Sequence, residues 1–142
     1  MRNAWRLWGE LSSLERVTFL QAAILLPLAS LALRLWRFQV VYDTLQEATS
    51  LEEDEAREDA LQEAQRMARM VNAAAWRVPY DATCLRRSLV LWWLLRRRGV
   101  DSRLRIGVRK EAEGLLAHAW VECQDCVLND AADISQQYAT LL

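Results

Sequence analysis

The chain is poor in the residues that punctuate and crosslink small proteins: one histidine, three cysteines, two prolines and four glycines in 142 residues. An odd cysteine count without an evident secretory signal argues against a disulfide framework and for a reducing compartment, so the thiols are read as chemistry or packing. Arg2 and Arg6 open the chain, but Glu10 and Glu15 precede its apolar stretch and no small-residue cleavage site follows it. A strong net charge is also missing, the total being −1. With no helix-turn-helix, finger or RNP signature and an acidic C-terminal part, nucleic acid is not an expected partner.

Locally the charge is far from even. Residues 51–70 sum to −4, residues 71–110 to +8, and the 32 residues that follow carry six acids and no base. Such runs ordinarily form solvated faces, although the basic one could steer an acidic peptide or a partner protein. The length fits one compact unit, divided on paper into an apolar helical region, 1–49, and a helix plus core, 50–142.

Residues 17–33, VTFLQAAILLPLASLAL, lack charge and are apolar on both sides of a helical wheel, which suits burial or lipid. Gln21, Pro27 and a length of 17 residues argue against a membrane span and for a buried or interfacial helix pair bent at Pro27. Ser50 and Glu53 form a possible capping box for a second helix running to Trp76, with Leu61, Ala64, Ala68, Val71 and Ala75 as its buried stripe. A third helix, apolar all round between Leu89 and Leu95, is expected from Cys84 to Arg98, capped by Asp81 or Thr83 and stopped by Gly99. Residues 103–108, 115–122 and 127–130 then read as strands. Helices followed by an antiparallel sheet make an α+β fold.

Cys84 would open a buried helix, where unpaired N–H groups and the helix dipole favour thiolate. Taken singly, it could equally be a small packed hydrophobe, and His118 a hydrogen-bonded core residue. Together with Asp130 they supply nucleophile, base and orienting carboxylate. Cys123-Gln-Asp-Cys126 admits a zinc or redox reading. A structural zinc site needs four ligands, however, and strand alternation puts Cys123 on the face opposite His118, while a redox pair belongs at a helix start. No metal or cofactor is therefore expected. Trp92, Trp93 and Trp120 read as core, and Arg103 and Arg105 as one solvated strand face open to an acidic peptide.

The run TCLRRSLVLWWLLRRRGVDSRLRIGV, then LLAHAWVEC, then VLND resembles the transglutaminase-like, papain-like cysteine peptidases that remove leader peptides in lasso peptide biosynthesis. The resemblance covers most of the chain, with its discriminating motifs between residues 83 and 130. It implies Cys84 as nucleophile, His118 as general base and acid, and Asp130 as the orienting carboxylate. It further implies a precursor peptide as substrate, and a separate leader-recognition protein and a downstream ATP-dependent lasso cyclase as partners. The reducing compartment read from the cysteines is the cytoplasm. Membrane contact through residues 17–36 is left open but not favoured. Two other readings stand beside it: a non-catalytic peptide- or membrane-binding module, and an acyltransferase using the same thioester route. One geometric expectation is sharp. A three-residue turn at 123–125 is expected, setting His118 directly opposite Asp130; a two-residue Gln124-Asp125 turn would put Asp130 opposite Ala119, on the wrong face.

Overall fold

The computed structural model describes residues 2–48, 59–77 and 83–142, with side chains from residue 6. Three helices come first: α1 (Arg2–Glu10), α2 (Ser13–Leu35) and α3 (Phe38–Ala48). A capping box starts α2, the Ser12 hydroxyl accepting from the Glu15 N–H at 3.3 Å and the Glu15 carboxylate from the Ser12 N–H at 2.8 Å. The expected helix pair is corrected here: α2 is one helix of 23 residues with Pro27 inside it. The lost Pro27 hydrogen bond is a local cost, offset by packing along the whole helix against α4 (Ala60–Ala75) and α5 (Cys84–Arg97). Thr18, Ala22 and Leu26 face that core, while Val17, Leu20, Ile24, Leu28, Leu31 and Leu35 stay exposed.

In α4 the expected stripe is present, with Ala64, Ala68 and Val71 buried alongside Met67 and Ala74. The Ser50–Glu53 box, and with it the cap candidate Asp81, lies outside the described residues. Helix α5 is the centre of the core: Leu89, Leu91, Trp92, Leu94 and Leu95 are buried around its circumference. It ends in a Schellman motif, for Gly99 takes φ +74°, its N–H bonds Arg96 C=O at 3.0 Å, and the Val100 N–H bonds Leu95 C=O at 3.0 Å. Buried Val100 then turns the chain into the sheet.

Strands β1 (Arg103–Glu111), β2 (Gly114–Cys123) and β3 (Cys126–Val127) are joined by short α6 (Ile134–Gln137) and strand β4 (Ala139–Thr140) in an antiparallel sheet of order β3-β2-β1-β4. The α+β class expected from the sequence is the one observed. Alternation sorts the sheet into two faces. Leu104, Val121 and Cys123 enter the helical core, whereas His118, Trp120 and Glu122 project on the other side. That second face is roofed by the C-terminal segment, which the sequence reading left without structure. Gly107 is required there: a Cβ would come within 2.7 Å of Tyr138 Cβ and 2.9 Å of the Trp120 ring.

Candidate functional site

Thr83, extended at ψ 161°, leads the chain into α5, and the first bond of that helix's ladder is Arg87 N–H to Thr83 C=O at 3.0 Å. The Cys84 amide therefore lies ahead of the ladder, at the positive end of the helix. One turn on, about 6 Å along the axis, Ser88 occupies the same side of the helix. Its hydroxyl is fully buried and donates to Ala119 C=O at 3.1 Å. This bond ties the first turns of α5 to the edge of β2 beside His118.

The β2–β3 hairpin corrects the expected register. Cys123 pairs with Cys126 and Glu122 with Val127, so the turn has two residues, not three. Gln124 and Asp125 both take positive φ, 50° and 62°, the backbone of a type I′ turn whose twist matches the flanking strands. Glycine is the usual residue there, and the sequence signal for this turn was weak for that reason.

If this ladder continued, Asp130 would face Ala119 on the wrong side. It does not continue. Leu128 N–H still bonds Val121 C=O at 2.9 Å, but the return bond from the Val121 N–H goes to the side-chain Oδ1 of Asn129, also at 2.9 Å. Asn129 Nδ2 donates to Ser88 Oγ at 2.9 Å. The Asn129 amide thus replaces a main-chain partner, ends the strand and anchors the departing chain to α5. The next residue swings round so that Asp130 Oδ2 lies 2.5 Å from His118 Nε2, while Oδ1 accepts from the Ala131 N–H at 2.8 Å. His118 and Asp130 meet as anticipated, by a different route.

Among the described residues no hydrogen bond joins the Cys84 thiol to the imidazole. The helix covers the sheet face opposite the His118 side chain, and its first turns are tied to the residues flanking the His118–Asp130 pair through Ser88, which bonds Ala119 and Asn129. With Nε2 held by the carboxylate, Nδ1 is the nitrogen left for a thiol. The imidazole is one of a cluster of three rings, 5.3 Å from Tyr138 and 6.2 Å from Trp120 centroid to centroid, with those two 6.1 Å from each other. Trp120 is fully buried, its Nε1–H donates to Glu122 at 2.9 Å, and Glu122 pairs with Arg105 at 3.2 Å. Arg105 is thereby engaged within the sheet and is not the open strand cation that alternation suggested; Arg103 remains exposed.

The other thiols separate cleanly. Cys123 is buried in the core, and desolvation, with Asp101 and Cys126 adding to it, raises its thiol above the ordinary 9.0. Cys126 is exposed at the hairpin. Among the described residues no group of three or more histidine, cysteine, aspartate or glutamate side chains could hold a metal ion. Ser88, Asn129, Tyr138 and Gly107 were not anticipated. Ser88 did leave a trace, as a lone hydroxyl leading into the apolar run LVLWWLL.

Comparison with known proteins places this site in context. A family model described as "Transglutaminase-like superfamily" matches residues 25–142, beginning within α2 and including every residue of the site. Neither the search of curated proteins nor that of solved structures returned a match.

Proposed function

Because the chain belongs to the transglutaminase-like superfamily, whose members are typically cysteine proteases or acyltransferases, we propose that it is a cysteine peptidase that removes the leader from a lasso peptide precursor. The observation that carries the reading is the His118–Asp130 pair at 2.5 Å, whose chain neighbours Ala119 and Asn129 are both bonded to Ser88, one turn after Cys84 in α5. A base that must take a proton from a thiol needs a third group to fix its tautomer, and Asp130 on Nε2 leaves Nδ1 as the acceptor. The lasso assignment is supported by the motifs around Cys84, His118 and Asp130.

In this mechanism His118 Nδ1 takes the Cys84 proton as Sγ attacks the carbonyl carbon at the leader–core junction. The oxyanion faces the Cys84 N–H, whose place ahead of the helix ladder suits it as a donor. Collapse breaks the C–N bond, and His118 returns its proton to the departing amine of the core peptide. Water then attacks the thioester and yields its proton to Nδ1. The leader leaves as a carboxylate and the thiol is restored, with Asp130 bonded to Nε2–H throughout.

A separate leader-recognition protein presents the precursor, and an ATP-dependent cyclase takes up the released core. The test combines the chain with precursor and recognition protein and separates the products by mass. Wild type yields two fragments, and C84A and H118A yield intact precursor. An isopeptide-linked product in the presence of added amine would assign acyl transfer instead. Cleavage by C84A at the wild-type rate would overturn both.

A further inference from the structure

Helix α2 is apolar all round, and the fold uses only half of it. Six large side chains, Val17, Leu20, Ile24, Leu28, Leu31 and Leu35, remain between 47% and 63% exposed on the side away from α4 and α5. At 100° per residue they fall in a straight stripe about 80° wide and about 27 Å long. Trp36, at the C-terminal end of the helix, and Val40 of α3 are exposed as well. A continuous apolar face of this size is unusual on a soluble monomer and marks a binding surface.

The chain segment that carries the stripe bears one sign of charge, the acids Asp43 and Glu47 following only later along α3. Between residues 16 and 42 there are three arginines, Arg16, Arg34 and Arg37, and no acid. Arg16 and Arg34 are eighteen residues apart, five full turns, so they lie on the same flank of the stripe at its two ends; Arg16 donates to the Trp8 and Gly9 C=O at 3.1 and 2.9 Å, whereas Arg34 and Arg37 are exposed. An apolar stripe bordered by arginine and ended by an exposed tryptophan has the chemistry of a helix lying in a bilayer interface. Crossing the bilayer is a different matter: α2 has the length and hydropathy of a span. It is packed along α4, however, and a span would carry exposed Gln65, Arg66 and Arg69 into hydrocarbon.

We infer that the exposed stripe of α2 is a docking face for the surface of an anionic phospholipid bilayer, holding the chain on the membrane with its sheet and His118–Asp130 pair in water. The inference is independent of the peptidase reading and needs no substrate to test. Co-sedimentation of the full chain is measured with phosphatidylcholine vesicles, alone and with phosphatidylglycerol. Binding is expected to be stronger on the anionic vesicles and to weaken with salt. The double variant I24E/L28E changes only exposed positions and should bind at least tenfold more weakly. R34Q/R37Q, at about fivefold per arginine, should lose roughly 25-fold on anionic vesicles alone. Circular dichroism establishes that each variant is folded. Equal sedimentation of wild type and folded I24E/L28E would overturn the proposal. So would a concentration-dependent dimer that I24E/L28E dissociates, in a wild type that leaves the vesicles unbound, because the stripe would then belong to a second copy.

Discussion

Replacing Asn129 with leucine tests the device that brings Asp130 to His118. The side chain keeps its approximate size but loses both hydrogen bonds, leaving the Val121 N–H without its 2.9 Å acceptor and Ser88 Oγ without its 2.9 Å donor. An unsatisfied amide of this kind costs about 1–3 kcal/mol. For a chain of this length that lowers Tm by roughly 3–10 °C. The functional effect should be larger than the stability effect. Freed of the amide, residues 128–130 can continue the two-residue hairpin ladder, which carries Asp130 toward Ala119 and off the imidazole. Misplacement of even about 1 Å costs on the order of a hundredfold in rate. A single histidine makes the readout clean: in wild type the His118 Nε2–H bonded to Asp130 should give one exchange-protected, downfield proton resonance, and N129L should lose it. S88A is the control. It removes the bonds at 2.9 and 3.1 Å to Asn129 and Ala119 but leaves Asn129 Oδ1 on the Val121 N–H. It should therefore cost similar stability and keep the resonance. Persistence of the resonance and of full activity in folded N129L would refute the reasoning.

Further consequences can be checked separately. Gly107→Ala places a Cβ against Tyr138 and Trp120, and should displace Tyr138 from the imidazole, seen as lost nuclear Overhauser contacts between the Tyr138 and His118 rings. With Ellman's reagent Cys126 should react at once and Cys123 only on unfolding. Because burial raises the Cys123 thiol, the unfolded chain releases that proton first, and stability should fall as pH rises past the ordinary 9.0; C123A, corrected for its own cavity, should flatten that fall. Glu15 behaves oppositely. The Ser12 hydrogen bonds lower its carboxyl below the ordinary 4.5, so the stability they supply is present above that pH and is lost as pH falls through the depressed value. Urea titrations of E15Q should show a shallower acid dependence than wild type.

Periodicity was enough for α4 and α5, because their stripes and the Gly99 stop are local signals that packing reinforced. It was ambiguous for residues 17–33, where a helix apolar on both sides can face protein with one and something else with the other. Pro27 was weighed as a break, but tertiary packing along 23 residues outweighed a single missing bond. The C-terminal α6 and β4 are too short to carry a periodic signal, and they form where Tyr138 closes over Gly107. At the site, the meeting of His118 and Asp130 was legible from residue types and order. The register was not, since it depends on two positive-φ residues without glycine and on a side chain standing in for the backbone, neither of which leaves a pattern in sequence.

The peptidase reading stands on a covalent intermediate at Cys84, and acid-quenched intact-mass spectrometry with precursor and recognition protein looks for it directly. The predicted result is a species heavier by the acyl mass of the leader, mapped to Cys84, released by hydroxylamine and absent from C84A. Release of both fragments by C84A at the wild-type rate, with no adduct on either chain, would contradict it.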